Sequence, residues 1–240
     1  MFVVRDYRNF NNNQKLKPFQ VKLKETDLYI KASVKLEKEA FELVSNYRSQ
    51  VEIYIRSHPS FEKSLVPLPY DDSAPPIVKE MLHASSQAGV GPMASVAGVI
   101  AEFVGRSLLN YSPEVIVENG GDIFVFTSDE IIIEIFAGKS PLSKKIGVRL
   151  LPSEMPLGIC TSSGTVGPSL SFGKADAVTV VSSSAALADA VATAVGNMVK
   201  KEVDIPFGLK ATESIAGVKG VIIIVREKMG VWGNINLIKL

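Results

Sequence analysis

From Gly158 the chain reads Gly158-Ile159-Cys160-Thr161-Ser162-Ser163-Gly164-Thr165-Val166-Gly167, and an apolar run follows from Ala175 to Val181. Next come Ser182-Ser183-Ser184 and the segment Ala185-Ala186-Leu187-Ala188-Asp189-Ala190-Val191-Ala192-Thr193-Ala194-Val195-Gly196-Asn197. We read a strand, a hydroxyl-rich turn, a second strand and an Ala-rich helix. Hydroxyls and glycines packed this tightly between apolar runs mark a binding surface.

Working outward, Gly91-Pro92 opens another helix, Met93 to Leu109. Its residues Ala94, Ala97, Gly98, Ala101 and Gly105 recur three or four apart, so one face is almost without side chains. The helix from Ala185 to Lys200 has the same character, and the two are expected to pack together. Strands are expected at Val115 to Glu118, Ile123 to Phe126, Ile131 to Phe136 and Ile146 to Leu151. Gly217 to Glu227 and Val231 to Leu240 read as a closing hairpin turning near Lys228-Met229-Gly230.

Upstream, Gln20 to Lys24 and Leu28 to Ala32 alternate as two short strands with a turn at Glu25-Thr26-Asp27. Lys38 to Ile55 follows a helical period and should end before His58-Pro59. Phe61 to Pro76 reads as an irregular link. Pro76 then starts a helix through His83 that stops at Ser85-Ser86-Gln87-Ala88-Gly89. Strands outnumber helices and look antiparallel, so the expected class is α+β rather than a doubly wound sheet. The chain reads as one domain over 1–240, with a hairpin-plus-helix unit at 1–75 and the motif-bearing core at 76–240.

Composition narrows the function classes. Of 240 residues, 46% are apolar and 21% charged, which describes a globular chain, and the net charge of +1 gives no electrostatic case for nucleic acid. The one cysteine, Cys160, excludes an intramolecular disulfide and a multi-thiolate metal cluster. Phe2 to Arg8 lacks the basic start and apolar core of a signal peptide. The run from Val90 to Val104, broken by Pro92 and Glu102, falls short of the ~20 apolar residues of a membrane span. The expectation is a cytoplasmic protein with neither membrane nor nucleic acid as partner.

Asp189 and Thr193, four apart on a helix, offer hard oxygen donors suited to Mg2+, and a local side-chain contact or a helix-dipole role explains the pair equally well. The Gly-Gly pair in Glu118-Asn119-Gly120-Gly121-Asp122 implies positive φ or a close backbone approach, in a tight hairpin or at a ligand. Thr161-Ser162-Ser163-Gly164 could present N–H groups and hydroxyls to a phosphate, or be a capped polar turn. Walker A, Gly-x-Gly-x-x-Gly and Gly-x-Ser-x-Gly signatures are all absent. His58 and His83 lack partners for a Ser-His-Asp triad. Cys160, on an apolar strand, reads as buried and inert.

Four motifs in order resemble ApbE-like proteins: Gly91-Pro92-Met93-Ala94, Glu118 to Asp122, Thr161 to Gly164, and Ala188-Asp189-Ala190 with Thr193. The resemblance covers roughly Ala88 to Lys200, and looks closest to an uncharacterised branch of that superfamily. The family includes FAD:protein FMN transferases, which use Mg2+ to split FAD and attach FMN to a Ser or Thr of a target. It implies a metal at Asp189, Thr193 and the carbonyl of Ala94. It also implies a nucleotide cleft at Gly120, Gly121, Asp122, Thr161, Ser162, Ser163 and Gly164, and a homodimer by analogy.

The departures argue against true FMN transfer. Where the transferases carry Lys-Gly-x-x-x-Asp, this chain has Ser95-Val96-Ala97-Gly98-Val99-Ile100. Where they carry a His-containing segment, it has Pro168 to Asp176. The expectation is therefore a Mg-dependent enzyme, transferase or hydrolase, acting on a phosphorylated, flavin or nucleotide-like small molecule, with Asp122 or Asp176 as base. The alternatives are a non-catalytic small-molecule-binding protein that kept the cleft, and a scaffolding role.

Overall fold

The computed structural model describes residues 15–164 and 173–240. The expectations for Phe2 to Arg8, for Thr165 to Gly167 and for Pro168 to Phe172 lie outside the described residues. Alternation along β1 (Lys17–Leu23) and β2 (Thr26–Ala32) buries Phe19, Val21, Leu28, Ile30 and Ala32 on one face. The turn between them is Lys24-Glu25, with Lys24 at φ 52°, and not Glu25 to Asp27. Thr26 belongs to the buried set of β2 and accepts a hydrogen bond from Arg48, so the strand begins there.

Helix α1 (Glu37–Ser57) has Glu37 and Glu39 in its first turn and Arg56 in its last, each favoured by the helix dipole, and ends at His58 before Pro59 as expected. The link that follows is not wholly irregular. Pro59 sets the first turn of α2 (Pro59–Lys63), which buries Phe61 completely. Helix α3 (Pro76–Ala88) runs a turn beyond the expected stop, because the buried Ser85 hydroxyl donates to the Leu82 carbonyl 3.0 Å away. It ends at Gly89, whose φ of 74° suits a left-handed cap. The next expected helix is split into a 3-10 turn (Pro92–Ser95) and α4 (Val96–Leu108).

The remaining elements are β3 (Val115–Asn119), β4 (Asp122–Phe126), β5 (Ile131–Glu134), β6 (Ile146–Leu150), β7 (Leu157–Ser162) and β8 (Ala177–Ser182). They are followed by α5 (Ala185–Met198), α6 (Ile205–Lys210), β9 (Val218–Val225), β10 (Lys228–Gly233) and β11 (Asn236–Lys239). The closing hairpin turns at Arg226-Glu227, with Arg226 at φ 53°, two residues earlier than expected. The last strand, β11, leaves that hairpin for a second sheet.

The larger sheet runs β1-β2-β3-β4-β7-β8-β9-β10 and the smaller β11-β6-β5, with antiparallel pairings in both. Period-two alternation assigns each face of the larger sheet. Ile123, Val125, Leu157, Ile159, Ile222 and Ile224 point to the smaller sheet. Phe124, Cys160, Val178, Val180, Val221 and Ile223 point to the helices. The fold is α+β. Among the described residues no single helix is long and apolar enough to cross a membrane, and α3 with Pro92–Leu108, which together have the length, are bent by 103°.

Candidate functional site

Two helices and one hairpin build the site. Helices α4 and α5 pack through their small faces, as their composition predicted. A Cβ on Gly98 would stand 2.2 Å from the Ala185 carbonyl oxygen, so only hydrogen fits there. On the sheet side, a Cβ on Gly158 would stand 2.2 Å from the Ala185 nitrogen. The start of α5 is therefore held between the backbones of α4 and β7.

At this crossing each helix caps the other. Glu102 of α4 is buried, and its Oε2 accepts from Ala185 N (2.7 Å), Ala186 N (3.4 Å) and the Ser184 hydroxyl (2.8 Å) at the start of α5. Asp189 of α5 accepts at Oδ2 from Gly98 N (3.0 Å) near the start of α4. Helix N-termini leave N–H groups without intrahelical partners and favour negative charge, which is why two carboxylates are tolerated here. The pairs 98 with 189 and 102 with 185 define an antiparallel register. Carried one turn further, it sets the Pro92–Ser95 turn, with Ala94, against the stretch of α5 holding Thr193, and those elements pack.

The Gly-Gly motif is a two-residue turn joining β3 to β4, and its glycines serve different needs. Gly120 takes φ 73°, while a Cβ on Gly121 would stand 2.5 Å from the Thr161 carbonyl oxygen. Asn119 ties this turn to α4 through Nδ2 donating to the Ala97 carbonyl (3.1 Å). Asp122 then starts β4 directly opposite Cys160 of β7, both on the helix face of the sheet.

Thr161 and Ser162 are not turn residues. They continue β7, paired with Thr179 and Val178, and the Thr161 and Thr179 hydroxyls lie 3.0 Å apart. Cys160 faces Asp189, and Ser162 lies near Gly196. Thr161 N donates to the Gly121 carbonyl and Gly164 N to the Ala175 carbonyl, so two of the motif's amides are engaged within the protein. The sequence-predicted cleft residues thus line one end of β4 and β7, beside α5.

The structure gathers Asp122, Cys160 and Asp189, with one ligand atom from each lying within 4.8 Å of the others. Cys160 Sγ is 3.9 Å from Asp189 Oδ1. Asp122 is 7% exposed, and among the described residues its Oδ1 has no hydrogen-bond partner. Asp189 keeps partial solvent access. Neither carboxylate forms an ion pair among the described residues. Burial pushes the Asp122 carboxyl up to about 7. Burial, then the charge of Asp122, push Asp189 up as well, against the N–H groups of Gly98 and Ala97. Cys160 is buried, as expected, and burial and both carboxylates raise its thiol.

Other expected residues fall elsewhere. Asp176 accepts from Arg226 N (2.5 Å) and braces the β9–β10 turn, away from the cluster, while Asp122 lies within it beside Asp189. His58 stacks on Tyr54 with ring centroids 4.1 Å apart, and His83 is exposed on α3; neither reaches the cluster. A cavity of about 660 Å³ opens by Lys174, Lys200 and Arg226, at the start of β8 and the end of β9, and does not include the cluster. Sequence reasoning missed Glu102, whose only signal is a lone carboxylate within an apolar small-faced helix. It also missed the cluster role of Cys160, which needs the β4–β7 register to be seen.

A family model described as "AbpE bacteria" matches residues 8–213. The UPF0280 protein of Methanothrix thermoacetophila is 44% identical over 199 residues, spanning 80% of this chain and 81% of its own. The UPF0280 protein of Methanocaldococcus jannaschii is 41% identical over 219 residues, 89% of each chain. Among solved structures, a mutant form of the flavin transferase ApbE from Vibrio cholerae superposes with a TM-score of 0.57 at 12% identity, over 90% of this chain and 96% of that one. The apo flavinyl transferase ApbE of Pseudomonas stutzeri gives 0.56 at 12%, over 91% and 94%. At such identities the likeness is one of fold.

Proposed function

The chain belongs to the AbpE bacteria family, an ApbE-like branch with UPF0280 relatives, and from that premise we propose that it binds a phosphorylated or nucleotide-like small molecule together with a divalent cation. The ligand lies where the Gly120-Gly121 turn meets Thr161 to Gly164. The observation that carries this reading is the pair of buried Asp122 and half-buried Asp189, one of them with an orphaned oxygen and neither ion-paired among the described residues. Two adjoining carboxylates withdrawn from solvent need a shared proton or a nearby cation to offset their charge, and a cation beside Asp189 fits the donors present.

Asp189 and Thr193, one turn apart on α5, would hold the ion, with the carbonyl of Ala94 from the facing turn. A divalent ion bound there offsets charge on phosphoryl oxygens and orients the attacking group. The residues themselves do the rest. Gly120 and Gly121 let a ligand approach the backbone without steric cost, and the β7 hydroxyls offer donors along its edge. Asp122 stands where it can take a proton. The segment Ser95 to Ile100 lacks the Lys and Asp of the transferases and Pro168 to Asp176 lacks their His, so FMN transfer to protein is not proposed.

Thermal unfolding tests this, with and without Mg2+, against FAD, FMN, NAD and nucleoside di- and triphosphates, for the wild type and Asp189→Ala. A ligand bound only by the folded state raises the midpoint by mass action. The expected result is a cation-dependent rise with one ligand class, absent in Asp189→Ala. No rise with any ligand would remove the proposal. Single-turnover assays with the ligand that binds then separate an enzyme from a binding protein.

A further inference from the structure

We infer that Asp122, Cys160 and Asp189 together form a site for a thiophilic divalent cation, Zn2+ or a close chemical equivalent, with one coordination position left open to the cleft. The inference rests on the reading above that a cation binds beside Asp189, and changes which ion the chain selects and which residues select it.

Three observations converge. First, the β4–β7 register sets Asp122 directly opposite Cys160, and the α4–α5 crossing brings Asp189 over both. Each donor is fixed by backbone geometry: a strand pair, and a helix whose start admits no side chain at Gly98 or Gly158. Second, Asp122 is more than nine-tenths buried, yet among the described residues its Oδ1 is without a partner. A buried carboxylate oxygen left unpaired costs free energy, and an ion removes that cost.

Third, the spacing suits coordination. Bonds of about 2.0 Å to oxygen and 2.3 Å to sulfur in a tetrahedron set sulfur and oxygen roughly 3.5 Å apart. The 3.9 Å between Cys160 Sγ and Asp189 Oδ1 exceeds that by a few tenths of an ångström, a closure that side-chain torsions supply. Cys160 packs within the apolar cluster of β8 and α5, and its sulfur also meets both carboxylates.

The chemistry of the set decides the ion. Carboxylate oxygens accept Mg2+ and Zn2+ alike, but a thiolate favours the softer ion. On coordination the Cys160 S–H bond breaks, its proton leaves to solvent, and sulfur donates its electron pair to the metal, with no change of oxidation state. Three protein donors leave a tetrahedral ion one position for water or a ligand atom. Asp189, which keeps some solvent access, marks the way in.

The full-length protein, stripped with chelator, is titrated with Co2+, Zn2+ and Mg2+, reading the absorption spectrum and the thermal midpoint; Cys160→Ser, nearly isosteric, is treated in parallel. Co2+ should give a near-ultraviolet thiolate-to-cobalt charge-transfer band that Zn2+ displaces. Cys160→Ser should lose the band and bind Zn2+ at least about tenfold more weakly, with its response to Mg2+ unchanged. Co2+ binding without the band in the wild type, or equal Zn2+ affinity in the variant, overturns the inference and leaves the cation reading intact. If none of the three ions raises the wild-type midpoint, both fall. Should the variant not fold, the wild-type cobalt spectrum decides alone.

Discussion

Replacing Gly98 by alanine adds one methyl group at the tightest point of the α4–α5 crossing. The new carbon would meet the Ala185 carbonyl oxygen at 2.2 Å, its carbon at 2.7 Å and Asp189 Cβ at 2.9 Å. Carbon atoms come to rest at roughly 3.5 Å, so α5 must retreat by about 1 Å. Two of the three obstructing atoms are backbone, and no rotamer relieves them. Overpacking of this kind costs about 1–3 kcal/mol. The same retreat stretches the 3.0 Å bond from Gly98 N to Asp189 beyond hydrogen-bond range. A bond to a charged acceptor contributes about 1.5–3 kcal/mol. Alanine returns about 1 kcal/mol through its helix propensity. The net is a loss of about 3 kcal/mol, which for a chain of this length lowers the midpoint by roughly 6–12 °C. Gly120→Ala is the control. Nothing lies within 4 Å of its Cβ, and only the φ of 73° opposes it, so about 1 kcal/mol is lost. Thermal and urea unfolding by circular dichroism compare the two. If Gly98→Ala matched the wild type or exceeded it, the close crossing of α4 and α5 would be refuted.

Glu102→Gln keeps an acceptor for Ala185 N but removes the charge at the start of α5 and the pair with Arg106, so about 1–2 kcal/mol should be lost in urea unfolding; Glu102→Ala, which orphans two buried N–H groups, should lose more, and equal stability of all three would sink the capping role. Hydrogen bonds from the Ser73 hydroxyl and N–H, then from Tyr54, hold the Asp71 carboxyl down at about 2. Its folded value lies below its unfolded one, so its contribution is present above about pH 4 and is lost as pH falls toward 2. Asp71→Asn should therefore flatten the fall of the urea midpoint between pH 5 and 2, and an unchanged slope would contradict this.

The sequence is most legible where one periodicity decides the matter. Helical spacing located α1 and the two small-faced helices, and their mutual packing followed from the smallness of Gly98 and Ala101. Alternation located most strands. It failed at the boundaries, where tertiary contacts decide. Thr161 and Ser162 look like turn residues, yet they pair with Thr179 and Val178 because the sheet continues past them. The Ser85 hydroxyl looks like a stop, yet the helix absorbs it. Single motifs placed Asp189 and the Gly-Gly turn, but the meeting of Asp122, Cys160 and Asp189 depends on strand register, which no local pattern encodes. Glu102 was invisible for the same reason: its partners lie 83 residues on.

That separation bears on the order in which the protein is made. Ala185 N and Ala186 N of α5 and Gly98 N of α4 find their carboxylate acceptors only when the two helices dock, and the bonds that join them span 83 and 91 residues. Closing such loops is slow compared with winding a helix. During synthesis, the carboxylate of Glu102 has no α5 N–H group to accept from until Ala185 has been added. The three residues of the cluster enter the growing chain at positions 122, 160 and 189, so a chain arrested before the third lacks the cluster. The cluster is therefore assembled late and in one step, with the docking of α5.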